Sequence, residues 1–201
     1  MRLACAATTL LLLVCGCSAA TPSTTPAVPP SRPAGSSPSA AVSTPATPSL
    51  PADAIDVGAY PDADFASPDG SIRCNLTADD ATCDFPSGMK RTGVPPASKV
   101  CPGAPLKVEG VTVSGIAEYF CSRGDDAHPQ QKGTAAVWAR SAGVPTVTVG
   151  KEVLVTLPDG KTLKHGHLFC TSSGGAITCG QSQTRASFTV SPTGVKLSAG
   201  K

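Results

Sequence analysis

The chain has 201 residues and a formal net charge of +2, with its charged residues concentrated in the C-terminal three quarters. Before Ile55 the only charged side chains are Arg2, Arg32 and Asp53, which leaves 14 Lys and Arg against 13 Asp and Glu in residues 55–201. A nucleic-acid-binding protein needs a basic patch that neutralises phosphates. The later segment is nearly neutral and has no basic run, so nucleic acid is not an expected partner.

The N-terminal segment has the features of an export signal. Arg2 and the free amine supply positive charge, and residues 3–14 are apolar apart from two threonines. A helix of this length spans about 18 Å, which is too short for a bilayer core of about 30 Å. The segment is instead typical of the apolar region of a signal peptide.

The next residues, Val14-Cys15-Gly16-Cys17, resemble the bacterial lipobox, in which apolar and small residues precede a cysteine. This resemblance implies a signal peptide over residues 1–16, cleavage before Cys17 and diacylglycerol on the Cys17 thiol. Two or more acyl chains hold a protein firmly at a membrane. We therefore expect a lipid-anchored protein at the extracytoplasmic face of the cell membrane. Conventional cleavage at Ser18-Ala19-Ala20 is the alternative, and it would release a soluble protein.

A segment of low complexity follows the lipobox. Residues 18–54 are almost entirely Ser, Thr, Ala and Pro, with nine prolines from Pro22 to Pro51. Such a composition buries too little apolar surface to offset the entropy lost on ordering. We expect residues 17–54, which begin with the lipidated Cys17, to form a disordered tether in front of a folded domain at residues 55–201.

Residues 55–201 contain short β-prone runs separated by turn signals, and no sustained helical periodicity. The turn signals include Ser67-Pro68-Asp69-Gly70, Pro158-Asp159-Gly160, Gly174-Gly175 and Ser191-Pro192-Thr193-Gly194. The β-prone runs cover residues 72–76, 82–85, 111–113, 116–121, 147–149, 153–157, 168–170, 177–179 and 187–190. This pattern predicts an all-β fold, a small antiparallel sandwich or barrel-like domain.

Two local predictions are more specific. Residues 153–157 and 161–163 lie on either side of Pro158-Asp159-Gly160, and this arrangement predicts a hairpin. Residues 134–140 tolerate either a short helix or a strand, and we favour the strand.

The nine cysteines fall into two groups. Cys5, Cys15 and Cys17 belong to the export signal and the lipobox. The other six are Cys74, Cys83, Cys101, Cys121, Cys170 and Cys179. An even number of cysteines in an exported domain predicts three disulfides, formed in an oxidising compartment.

The spacing of four of these cysteines predicts two hairpins. Eight residues separate Cys74 from Cys83, and eight separate Cys170 from Cys179; each gap contains small or acidic turn formers. Cross-strand neighbours have Cβ atoms about 4.5–5.5 Å apart, which is close to disulfide range. Among the pairings that six cysteines allow, hairpin geometry favours these two, which leaves Cys101 to pair with Cys121.

The residues around Cys74 also carry a family resemblance. Phe65-Ala66-Ser67-Pro68-Asp69-Gly70-Ser71-Ile72-Arg73-Cys74 is similar to a Phe-x-Ser-Pro-Ser-Gly-Asn-Ile-x-Cys opening. That opening recurs in small secreted and lipid-anchored proteins of mycobacteria and other actinobacteria. Asp69 and Ser71 stand where Ser and Asn are usual, whereas the segment around Cys170 and Cys179 resembles that group's closing segment. The resemblance implies an envelope location and no particular mechanism.

Catalytic signatures are sparse in this sequence. It contains no Gly-x-Ser-x-Gly nucleophile elbow and no His-Glu-x-x-His zinc motif. His165 and His167 are weak candidates for a zinc or copper site, because residues at i and i+2 share one face of a strand. Spacing fixes no further ligand, and we expect no cofactor.

Two functional hypotheses follow. The first is a non-catalytic binding or envelope-associated module, anchored through lipid on Cys17, whose partner is an envelope protein, a glycan or a small ligand. The alternative is an extracytoplasmic enzyme or metal-binding protein with a site around His165 and His167, joined by His128 or nearby carboxylates. Tyr119, Phe120 and Trp138 could line a groove or an interface, although we favour packing in the core for them.

Overall fold

The computed structural model describes residues 50–87, 89, 91–102, 105–123 and 137–200. The predicted signal peptide, Cys17 and most of the predicted tether lie outside these residues, and so does His128. Within the described part of the chain, no helix is long and apolar enough to cross a membrane.

Two sheets and a two-stranded ribbon make up the β structure. The strands are β1 (Ile55–Asp56), β2 (Asp62–Ala66), β3 (Arg73–Thr77), β4 (Ala81–Asp84), β5 (Lys107–Val113), β6 (Ala117–Ser122), β7 (Thr146–Val149), β8 (Glu152–Val155), β9 (Thr162–His165), β10 (Leu168–Ser173), β11 (Ala176–Gln181), β12 (Ser187–Ser191) and β13 (Gly194–Ser198). Two short helices, α1 (Ala97–Val100) and α2 (Val137–Ala142), complete the described elements.

The two sheets pack against each other as a sandwich. One sheet has the strand order β2-β3-β4-β5-β6, and the other has the order β1-β9-β10-β11-β12-β13. All neighbours in both sheets are antiparallel except β1, which pairs with β9 in parallel. Strands β10 and β11 lie over β3, β4 and β5. The predicted all-β antiparallel fold is confirmed, with the sandwich as its form.

Each sheet contains a five-stranded meander, and the two meanders have the same register around their cysteines. One row of facing residues crosses the first meander through Phe65, Cys74, Cys83, Val111 and Tyr119. The matching row of the second meander runs through Leu163, Cys170, Cys179, Phe188 and Leu197. The cysteines are the second and third residues of each row, so the two meanders carry their disulfides at equivalent positions.

The three predicted disulfides are confirmed. Cys74–Cys83 and Cys170–Cys179 join directly opposed residues, with Cα–Cα distances of 4.1 and 4.0 Å. Such short separations are typical of the non-hydrogen-bonded pairs of antiparallel strands, where side chains approach most closely. Cys101–Cys121 spans 5.9 Å between its Cα atoms and ties the segment after α1 to β6.

The two hairpin disulfides meet in the centre of the core. All four of their cysteines are fully buried, and the Sγ atom of Cys83 lies 3.9 Å from the Sγ atom of Cys179. The largest fully buried side chains include Phe65 of the first sheet and Phe188 of the second. Sulfur atoms therefore supply part of the packing that aromatic side chains supply elsewhere in the core.

The predicted hairpin at Pro158-Asp159-Gly160 is wrong. Strand β8 pairs with β7 instead, through a turn in which Gly150 has a positive φ of 62°. After β8, the Leu157 N–H donates to Ala66 O of the first sheet, whereas the Gly160 N–H donates to Ser172 O of the second. The Pro158-Asp159-Gly160 turn thus connects the first sheet to the second. The residue types of a turn do not by themselves determine which strands pair on either side of it.

The strand favoured for residues 134–140 is also wrong, because the described part of that segment begins helix α2. Trp138 and Ala139 are both buried. Consecutive strand residues point to opposite faces, whereas consecutive helix residues can both lie on one buried stripe. Burial of this neighbouring pair therefore favours the helix.

Removing the Cys170–Cys179 bond tests the role of the central disulfides. In the double variant Cys170→Ala/Cys179→Ala, the unfolded chain regains entropy and the core loses two buried sulfur atoms. We expect the free energy of unfolding to fall by about 2–5 kcal/mol, measured by urea denaturation without reductant. Peptide mapping of the variant should still find Cys74 linked to Cys83. Unfolding at the same urea concentration as the parent protein would contradict this role.

Candidate functional site

The two candidate metal ligands do not share a strand face. His165 ends β9 and is buried, and its Nε2 lies 3.0 Å from the carbonyl oxygen of Tyr60. His167 lies in the turn before β10, is exposed, and has its Nε2 2.9 Å from Nε2 of Gln183. The prediction of a shared face is wrong because Gly166, with a φ of 60°, turns the chain between the two histidines.

No grouping of metal ligands replaces this pair in the described residues. There, no three His, Cys, Asp or Glu side chains are placed so that they could hold one metal ion. The six cysteines of the domain are all in disulfides.

The three aromatic residues considered for a groove or an interface, Tyr119, Phe120 and Trp138, have different environments. Trp138 is buried in the core, as favoured from the sequence. Tyr119 is half-buried and packs against the core, and its hydroxyl donates to Gly93 O over 3.2 Å. Phe120, also half-buried, lies against Gly110 of the neighbouring strand.

A groove of about 590 Å³ in the described part of the chain combines acidic, basic, hydroxyl and apolar lining residues. It is bounded by the loop between β2 and β3, by the ends of β4 and β5, and by the β7–β8 ribbon. Its lining residues are Asp69, Gly70, Ser71, Arg73, Asp84, Phe85, Ser87, Glu109 and Val149. This volume lies within the range of about 300–1,000 Å³ found for small-molecule sites.

The first wall of the groove is a loop held rigid by its own hydrogen bonds. The Ser67 N–H donates to Ile72 O, and the Gly70 N–H donates to Ser67 O. The hydroxyl groups of Ser67 and Ser71 both donate to Oδ1 of Asp69, over 2.5 and 2.9 Å, and the Ser71 N–H donates to the same oxygen over 3.1 Å. The loop is therefore fixed in shape before any ligand arrives.

The loop also determines the ionisation of Asp69. Partial burial opposes the charged form, but the hydrogen bonds from Ser67 and Ser71 outweigh it and hold the pKa of Asp69 below its usual value. Asp69 is thus a fixed anionic group at the edge of the groove at neutral pH.

The second wall is the β7–β8 ribbon, which packs against the loop at Gly70. This glycine has a φ of 74°, and a Cβ atom there would overlap the Val147 and Val149 side chains. Nη2 of Arg73 forms an ion pair with Oε2 of Glu152 on β8. The glycine contact and the ion pair together hold the ribbon beside the first sheet.

The third wall comes from the ends of β4 and β5. Asp84 is buried, with 6% of its surface exposed, and Phe85 and Glu109 are half-buried. The register of β5 against β6 shifts between Val108 and Gly110, so Glu109 occupies a bulge. Bulges re-aim side chains and are common beside functional sites.

The aromatic ring of Phe85 is held from two sides. Tyr119 meets it edge to face, with 6.4 Å between ring centroids, and the guanidinium carbon of Arg91 lies 5.4 Å from its centroid. The Arg91 guanidinium also donates to Val108 O over 2.6 Å. Phe85 is therefore an apolar surface with a defined orientation.

The chain matches no family model, no curated protein and no solved structure in the comparisons made.

The sequence predicted the turn at Ser67-Pro68-Asp69-Gly70 that forms the first wall, but it did not indicate that this turn lines a groove. Glu109, Phe85 and Val149 carried no functional signal, because they come from separate segments and meet only in the folded domain.

The pH dependence of stability tests the Asp69 network. A carboxyl whose pKa is lowered by folding stabilises the fold above its unfolded pKa, and this contribution disappears as the pH falls through the folded value. Asp69→Asn should therefore be less stable than the parent at about pH 7, and the difference should shrink by about pH 3. Urea denaturation at both pH values measures this.

Asp62→Asn, which changes an exposed carboxyl on β2, is the matched control and should show a smaller difference at neutral pH. A stability difference for Asp69→Asn that is the same at both pH values would argue against the charged network.

Proposed function

We propose that this protein is a lipid-anchored extracytoplasmic binding module. Lipid on Cys17 holds it at the outer face of the cell membrane, residues 18–54 serve as a spacer, and the β-sandwich presents the groove between the Ser67–Ser71 loop and the ribbon to a ligand outside the membrane. The lipobox resemblance at Val14-Cys15-Gly16-Cys17 supports the anchor.

The observation that carries the extracytoplasmic location is the set of three disulfides. Two of them are completely buried where the sheets meet, so they are part of the core and not surface additions. Disulfides of this structural kind form and persist in oxidising compartments outside the cytoplasm. Export is therefore the expected route for a chain that begins with a signal-like segment.

The rigidity of the groove supports a binding role. Its walls are a hydrogen-bonded loop, a ribbon fixed by the Arg73–Glu152 ion pair and strand ends next to the Cys74–Cys83 bond. A preformed site loses little conformational entropy on binding, so more of the contact energy appears as affinity. The groove needs no large rearrangement to accept a small ligand.

Replacing single N-terminal cysteines tests the anchor. Cys17→Ala removes the proposed lipidated thiol, so we expect the protein to lose its diacylglycerol modification and to leave the membrane fraction. Cys15→Ala is the matched control, since it changes a neighbouring thiol in the proposed signal peptide, and it should remain lipidated and membrane-bound. Membrane fractionation and intact-mass measurement of the mature protein give both results.

Two outcomes would contradict the anchor. A Cys17→Ala protein that is processed normally and stays in the membrane fraction would show that another feature retains it. A parent protein whose mature N-terminus begins after Ser18-Ala19-Ala20 would show conventional cleavage and release.

A further inference from the structure

We infer that the groove binds a short neutral glycan, about the size of a disaccharide. This inference rests on the proposed binding function and names the ligand class for that site. A sugar is recognised by three features together: hydrogen-bond acceptors and donors for its hydroxyl groups, and an apolar surface for the C–H face of its ring. The groove supplies all three features.

The acceptors are carboxylates. The Glu109 side chain forms no hydrogen bond or ion pair with any residue in the described part of the chain, so both its oxygens are available to accept from ligand hydroxyls. Asp69 adds a second carboxylate on the wall formed by the loop between β2 and β3, and its bonds to Ser67 and Ser71 fix its position. Hydroxyl groups donate well to ionised carboxylates, and such charge-assisted bonds are about twice as strong as neutral ones.

The donor is the Arg73 guanidinium. One of its nitrogens is engaged by Glu152, and a guanidinium carries five N–H groups in a rigid fork. The ion pair therefore orients the remaining donors beside the groove. Ser71 and Ser87 contribute hydroxyl groups to the same lining: the Ser71 hydroxyl, which donates to Asp69, can accept, and the Ser87 hydroxyl can donate or accept.

The apolar surface comes from Phe85 and Val149, which line the groove from different elements. Phe85 is held by Tyr119 and Arg91, so its ring does not have to be ordered when a ligand binds. A pyranose ring presents a face of C–H groups and a rim of hydroxyls. We expect its C–H face to pack against the apolar surface that Phe85 and Val149 leave open in the groove, while its rim of hydroxyls reaches the carboxylates and the guanidinium.

The charge of the described lining selects against acidic ligands. Asp69 and Glu109 are acidic, whereas Arg73, the one basic residue among the described lining residues, is already paired with Glu152. An anionic sugar or a phosphate would meet a surplus of like charge. A neutral glycan avoids this repulsion and uses the carboxylates as acceptors.

The test is titration of the ¹⁵N-labelled protein, with its three disulfides formed, with a panel of neutral disaccharides, followed by amide NMR spectra. We expect at least one disaccharide to shift the amide signals of Ser71, Arg73 and Glu109. Glu109→Gln, which is nearly isosteric, should weaken that binding by about tenfold or more. Phe85→Leu should also weaken it, and each variant's own spectrum reports whether it is folded.

The matched control is Glu118→Gln, which neutralises an exposed carboxylate on β6 outside the groove and should leave the affinity unchanged. Affinity that is insensitive to added salt is also expected for a neutral ligand. Equal weakening by Glu118→Gln and Glu109→Gln would overturn the placement of the site.

Three further results would overturn the glycan assignment. They are absence of shifts with the whole disaccharide panel, shifts produced by a cationic peptide in place of the sugars, and binding that is lost as salt is added. A cationic peptide bound at Ser71 and Glu109 would leave the proposed binding module in place and change only its ligand class. The anchor is tested separately by the Cys17→Ala protein, so failure there and failure here are distinguishable.

Discussion

The contact between two disulfides in the centre of the sandwich is the constraint on which the rest of the domain depends. Each bond joins directly opposed residues of neighbouring strands, Cys74 to Cys83 and Cys170 to Cys179. A slip of one residue in either pair would send the strand's buried side chains to the other face, so each bond fixes the register of its sheet. The 3.9 Å approach of Cys83 to Cys179 then fixes which parts of the sheets face each other. The chain has only eight aromatic residues, and buried disulfides replace part of the packing that large side chains would otherwise provide.

This central constraint also positions the groove. Successive strand residues point to opposite faces, so burial of Cys74 places its neighbour Arg73 on the other side of β3, where it meets Glu152 of the ribbon. Strand β4 ends one residue after Cys83, and that end carries Asp84 and then Phe85 into the groove lining. The first sheet's disulfide thus sets the geometry of the wall that we propose to contact a ligand. The ring of Phe85 and the bulge at Glu109 complete this wall.

The same bonds connect the fold to its proposed setting. Disulfides in the core form and persist where oxidation is permitted, and the proposed export signal would deliver the chain to such a compartment. The proposed anchored module would meet its ligand at the membrane, where a preformed site favours binding. Short-range hydrogen bonds and disulfides set the shape of the groove, so its residues lose little conformational entropy when a ligand binds.

The sequence by itself determined the features that depend on neighbours along the chain. Cysteine spacing and turn formers predicted the hairpin disulfides, the strands around them and the all-β class, since a hairpin brings together residues only a few positions apart. Tertiary structure alone decided that the residues after β8 pass from the first sheet to the second and that Trp138 is buried on a helix. It also brought Glu109, Phe85 and Val149 to one groove. These outcomes depend on which distant surfaces are buried together, and local propensity does not contain that information because burial is a property of the whole packed domain.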